Sequence, residues 1–243
     1  MSVDAKPLVF PVDRLELTFE PARWAFADER RAEIDAYFAA LQRERPAIWN
    51  GRVLLLHRQA MSDGVFRGAY LETDYASFAA WRAWGWPKAG VHDCFAAAAI
   101  VSADNAVLLG VMGPHTFNAG AIYLPCGTPD PHDIAGGKVD LDGSVRRELT
   151  EETGLSIDEF DVAPGWTTVV EGARIAQVKL LRHADSAEEL RARILAHLAR
   201  EQQPELADIR IVRSERDFVP AIYGFARAFI EHFWRAQRIS ERT

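Results

Sequence analysis

Glu148, Glu151 and Glu152 bring three carboxylates together directly after Arg147, in the run Arg147-Glu148-Leu149-Thr150-Glu151-Glu152-Thr153-Gly154-Leu155. In a helix, residues three and four apart share a face, so this spacing predicts that the acids converge on one side of the cylinder. Carboxylates so close repel one another, and Arg147, one turn from Glu151, neutralises only part of the charge. A divalent cation would offset the rest. Oxygen donors with no His or Cys among them suit a hard ion, Mg²⁺ first and Mn²⁺ second. Mg²⁺ keeps several waters and completes its shell with phosphate oxygens, so the implied substrate is a phosphoric ester or anhydride. The bland reading is a solvated helix face, which is what acidic runs commonly are.

A helix that presents acids must bury its other side. Val145 and Leu149 lie one turn apart and can anchor it, Gly154 is suited to end it in a left-handed turn, and Leu155 returns to apolar surroundings. Upstream, Tyr123-Leu124-Pro125-Cys126-Gly127 reads as the end of a strand and Thr128-Pro129-Asp130-Pro131-His132-Asp133 as an inserted loop.

The order Arg-Glu-Leu-x-Glu-Glu-x-Gly-Leu resembles, position for position, the second half of the signature of Nudix hydrolases, which cleave nucleoside diphosphates linked to another group. The resemblance implies an α/β/α sandwich with a mixed sheet. It also implies that Glu148 and Glu152, usually with Glu151, bind the metal and that Arg147 orients them, these four forming the catalytic set. The first half of the signature departs from the family, which has a strand ending in Pro-Gly-Gly and then a glutamate eight residues before the arginine. Position 139 is valine. Taking Tyr123 to Gly127 as the strand end makes the gap to Arg147 longer than usual, whereas Gly136-Gly137 makes it too short. The first alignment is preferred, because a strand-like run leads into Pro125. Asp140, and after it Asp142, are the candidates to stand in for the absent glutamate.

A chain of 243 residues, 49% of them hydrophobic, is ample for a packed core. A net charge of −7 argues against a partner with a phosphate backbone, so no nucleic-acid binding is expected. Two cysteines, Cys94 and Cys126, are too few for a disulfide framework and lack metal-ligand spacing, so both are expected to be buried thiols. The first residues do not read as a secretion signal, and no apolar run reaches membrane-spanning length, which points to a cytoplasmic protein without a membrane partner. A homodimer stays open.

Along the chain, residues 1–92 read as an N-terminal α+β extension and residues 93–243 as the Nudix-like domain. The extension is expected to hold a strand at Leu15 to Phe19, a helix from Trp24 to Arg45 and strands at 52–57 and 65–70 around Gly64. A short helix from Tyr75 to Trp81 follows. Its Trp-Asn-Gly turn at 49–51, strands and Tyr-x-x-Phe helix distantly resemble the leading region of Nudix enzymes that act on UDP-sugars. Trp81, Trp84 and Trp86 can form a core or grip a nucleobase. Strands are expected at 96–101, 106–111, 119–124, 166–170, 174–181 and 209–212, and helices at 187–202 and 220–236. His115 and Asn118, on the loop after the second of these strands, and Arg174 are the candidate substrate contacts. Lys179 is a further cation for phosphate, and Glu201 and Glu205 are candidates for a general base.

The expected reaction is attack of water on phosphorus in a diphosphate bridge, with a small nucleoside diphosphate derivative, such as a nucleotide sugar, as substrate. Two other readings stand beside it: a Nudix-fold module that binds a nucleotide without cleaving it, and an acidic helix that is structural only.

Overall fold

The computed structural model describes residues 6–240. In chain order it forms β1 (Leu8–Val12), β2 (Arg14–Phe19), α1 (Ala25–Glu29), α2 (Arg31–Glu44), β3 (Arg52–Ser62), β4 (Val65–Asp74), α3 (Tyr75–Ala83), β5 (Asp93–Val101), β6 (Val107–Met112) and β7 (Ile122–Tyr123). There follow β8 (Cys126–Gly127), β9 (Ile134–Ala135), β10 (Lys138–Val139), α4 (Leu141–Thr153), β11 (Asp161–Val162), β12 (Trp166–Glu171), β13 (Arg174–Arg182), α5 (Ala187–Leu198), β14 (Leu206–Val212) and α6 (Gly224–Ser240). This is the mixed α+β organisation expected. No helix among the described residues is long and apolar enough to cross a membrane.

Contacts divide the chain into two units. The expected boundary at 92/93 lies beside the change of unit at Cys94 and Phe95, but two segments cross it. The segment ending at Asp13 joins Phe95–Gly127 and the stretch from Asp142 onward, while Thr128–Leu141 joins Arg14–Cys94. The first exchange has a plain cause: β1 pairs antiparallel with β12, Leu8 opposite Val170 and Val12 opposite Trp166. Sheet pairing is blind to sequence distance, and the proline-spaced start of the chain gives no hint of its partner.

The unit that carries α4 is built on a nine-stranded sheet in the order β1-β12-β13-β5-β6-β14, with β11 on β13, β7 on β6 and β8 on β5. Its central strand β5 is buried along its whole length, and Ala96 to Ala99 are wholly inaccessible. Alanines leave room on both faces of the sheet for bulky partners. On one face that room is taken by α6, whose Phe225 meets Phe95 edge-on at 5.3 Å between ring centres. Phe225, Phe229, Ile230 and Phe233 are all buried. Each contributes on the order of 2–3 kcal/mol by leaving water. α6 packs on β12 and β1, and α5 packs on β14 and β6, toward the opposite edge.

The other unit holds a mixed five-stranded sheet, β3-β4-β2-β10-β9, in which β2 runs parallel to β4 and the remaining pairs are antiparallel. The single helix expected from Trp24 to Arg45 is two helices that turn at Arg30, whose backbone leaves helical geometry. The break lets Trp24 and Phe26 stack on each other at 4.9 Å, with Phe26 also packing against the core that Ile34 and Phe38 form with Ala76 and Ala80. Of the three tryptophans Trp81 belongs to the core, where it is buried, meets Trp24 and Trp86 edge-on and donates its indole N–H to the Pro87 carbonyl, while Trp84 and Trp86 are half-buried. Gly136 and Gly137 form the two-residue turn between β9 and β10, both at positive φ, the geometry of a type I′ hairpin that glycine adopts without strain.

Candidate active site

α4 turns its apolar stripe inward, with Leu141, Val145 and Leu149 buried as the spacing requires. Beside that stripe runs a polar row: Ser144, Glu148 and Glu152 lie four apart and are buried as well. The helix ends at Gly154, at φ 69°, with its N–H donating to the Thr150 carbonyl. A Cβ at Gly154 would lie 2.4 Å from the His197 ring, so both backbone and packing require glycine there.

The three glutamates do not converge as expected. Glu148 and Glu152 face inward, whereas the Glu151 side chain is 62% exposed and reaches Arg147 only at 3.7 Å. The cause is helical phase: Glu152 continues the buried row one turn beyond Glu148, and Glu151 falls 100° behind it. Arg147 donates to Glu148 Oε1 at 2.6 Å, the charge-assisted contact expected of a guanidinium beside a carboxylate. Strand β8 forms the opposite wall. Ala96 pairs with Gly127 and Ala97 with Cys126, and a Cβ at Gly127 would stand 2.4–2.7 Å from the Glu148 carboxylate.

Glu152 carries the strongest electrostatic signature. Both of its oxygens are buried without a hydrogen-bond partner, and the nearby Cys126 amide favours the charged form. Burial, then the charges of Glu205, Glu148 and Glu151, push its carboxyl well above the usual range. An unpaired buried carboxylate of this kind costs roughly several kcal/mol in its ionised form, because it loses its hydration and gains no opposite charge.

Glu205 reaches this neighbourhood because β14 pairs antiparallel with β6, Leu206 opposite Met112, so the residue before one strand meets the loop after the other. Gly113 N–H donates to the Glu205 carbonyl at 2.7 Å. The same loop brings His115 against Gly113 and close to Glu205, whose carboxyl is raised by the protein packed beside it, with His115 acting in the opposite sense. Glu201 points elsewhere, its carboxylate 3.2 Å from His197 Nε2. Asn118 donates to the Tyr123 hydroxyl at 2.9 Å and accepts from the Tyr223 hydroxyl at 3.4 Å. Burial pushes the Tyr123 hydroxyl up, and the charges of Cys126, Glu152 and Glu205 add to it, which places this ring beside the acids.

Arg174 is engaged within the protein. It donates to Glu171 Oε2 at 2.6 Å and lies over the Tyr223 ring at 5.1 Å. Lys179 bonds the Gly165 carbonyl, lies 4.4 Å from the Trp166 ring centre and pairs with Asp142 at 3.4 Å. Asp142 is thus committed in the first turn of α4, six residues or about 9 Å along the axis from Glu148. Asp140 precedes the helix and its N–H donates to the Asp133 carbonyl, both residues lying in the segment Thr128–Leu141. Cys94 is buried as expected, while Cys126 is half-buried; both are free thiols.

Sequence reasoning passed over Ser144, whose hydroxyl is buried without a partner. Its position four residues before Glu148 was the available signal. Tyr223 carried none, since it arrives from a distant segment. Among the described residues no three His, Cys, Asp or Glu side chains are grouped to hold a metal by protein ligands alone.

No family model matches the chain, and no curated protein matches it. Among solved structures it is similar to RenU, a Nudix hydrolase from M. smegmatis, at 17% identity over 61% of this chain and 86% of that one, TM-score 0.37. It is similar to the MutT protein of Methanosarcina mazei Go1 at 19% identity over 60% and 95%, TM-score 0.40. The Nudix domain of Shewanella oneidensis NrtR, solved with ADP ribose, is similar at 16% identity over 65% and 97%, TM-score 0.42.

Proposed function

We propose that this chain is a Nudix-type hydrolase that works with a divalent ion on a nucleoside diphosphate joined to another group, a nucleotide sugar among the candidates. The observation that carries the reading is Glu152: a carboxylate with both oxygens buried, no hydrogen bond, and Glu148 and Glu205 alongside. A fold keeps such a group where a cation offsets its charge. The motif on α4 supplies the second support.

The residues fit a hard ion. Glu148 and Glu152 would hold it, Mg²⁺ by preference and Mn²⁺ in its place, with Glu151 at the rim and the shell completed by water and substrate oxygens, as Mg²⁺ favours. Such an ion, when bound, lowers the pKa of water and neutralises charge on phosphate. Arg147 fixes the orientation of Glu148. Glu205, with His115 beside it, would receive a proton from the attacking water, and Asn118, bonded to its two tyrosines, would contact substrate. Arg174 acts from behind Tyr223 by holding that ring.

The test is product release from nucleoside diphosphate sugars, dinucleotides, nucleoside triphosphates and coenzyme A with Mg²⁺ or Mn²⁺. Turnover of a diphosphate, abolished in Glu152→Gln with folding retained, is the expected result. Silence across the panel with either ion would overturn it. One observation favours a second reading, a module that binds without cleaving: Val139 is buried where the family signature has a glutamate, and Glu151 faces outward. That reading expects saturable nucleotide binding and no product.

A further inference from the structure

A cleft of about 520 Å³ opens between β1 and α6, lined by no residue of α4. Its volume is of the size that holds small molecules. Three cations face it, Lys6 from the segment before β1 and Arg227 and Arg235 from α6, together with His232. Two carboxylates also line it, and each already holds an arginine: Glu171 accepts from Arg174 at 2.6 Å and Glu231 pairs with Arg227 at 2.9 Å. Among the described residues Lys6 and Arg235 are therefore left without an opposite charge, in a chain whose net charge is −7.

The spacing is ordered. Arg227, Glu231 and Arg235 follow one another at four-residue intervals on a single face of α6, so the two arginines stand about 12 Å apart along the axis. Arg227 is steadied by Glu231 and by the Phe218 ring, 4.9 Å away. Leu8, 61% exposed, offers apolar surface to the same cleft. Guanidinium groups favour phosphate, which they bind through paired N–H donors, and a lysine adds a point charge.

We propose that this cleft binds a small phosphate-bearing anion, at a site separate from the acidic helix, with Lys6, Arg227 and Arg235 as its recognition groups. The proposal does not depend on the enzymatic reading. Inorganic tripolyphosphate is the probe, titrated calorimetrically into the full chain in EDTA, so that no divalent ion can bridge it to the glutamates. One equivalent should bind, more weakly as salt rises. The Lys6→Gln/Arg235→Gln double variant should lose about tenfold or more in affinity, and Arg235→Lys should retain part of it. Glu152→Gln should bind as the parent does. Binding that survives the double variant, binding that is lost in Glu152→Gln, equal binding of citrate, or no saturable binding would each overturn the proposal. Both cations are exposed and have no ion-pair partner among the described residues, so circular dichroism of the double variant should match the parent.

Discussion

Gly127 has no side chain at the place where the carboxylate of Glu148 lies, and a Cβ there would come within 2.4 Å of Glu148 Oε1. The strand end and the acidic helix therefore meet through a glycine and a glutamate, twenty-one positions apart in sequence. Substituting Gly127→Ala should push the Glu148 carboxylate aside while overpacking costs about 1–3 kcal/mol. Divalent-ion affinity, measured by Mn²⁺ titration, should fall roughly 10- to 100-fold, as when groups that orient a ligand are disturbed. Unchanged Mn²⁺ affinity would show that Glu148 is not held by this contact.

Glu205 and Glu201 were equal candidates for the proton acceptor until the strand pairing separated them. Glu205→Gln should lower kcat by about 10²–10⁴, the range for a lost general base. Glu201→Gln should leave turnover within about threefold, since its carboxylate faces His197. Steady-state kinetics on any accepted substrate decides the matter, and the reverse ranking would remove Glu205 from the site.

Acid sensitivity should be set in part by Asp104. The hydroxyl of Ser102, the Ala187 amide and the Arg213 guanidinium stabilise its charged form and hold its pKa at about 2 in the folded protein. The unfolded value is near 3.9, roughly. Because the folded value is the lower one, the unfolded chain binds the proton first, so this contribution is complete above about pH 4 and is lost as the pH falls towards 2. Asp104→Asn should flatten the fall in denaturation midpoint between those values while leaving the midpoint at pH 7 lower than in the parent. Superimposable acid limbs for the two proteins would exclude this role.

Gly154 closes α4 under two independent constraints, positive φ and contact with His197. Gly154→Ala should therefore destabilise by about 1–3 kcal/mol. In a double-mutant cycle, His197→Ala should relieve the steric share and leave the backbone share in place. Strict additivity of the two changes in thermal unfolding would mean that the ring contact adds nothing.

Residue order alone was enough to identify the acidic helix, its buried stripe through Val145 and Leu149, its glycine stop and most strands, because these depend on local periodicity and on backbone preference. It also suggested the chemistry proposed for that helix, since oxygen donors close in sequence are a property of composition at short range. It did not foresee that Glu151 turns outward, because an acid's helical phase matters only against a neighbour that buries one side. Nor could it place Gly127 against Glu148, Glu205 beside Glu152, or β1 on the edge of the far sheet. Each of these follows from strand pairing between distant segments, where register is chosen by the whole packed sheet and not by the residues that come to meet.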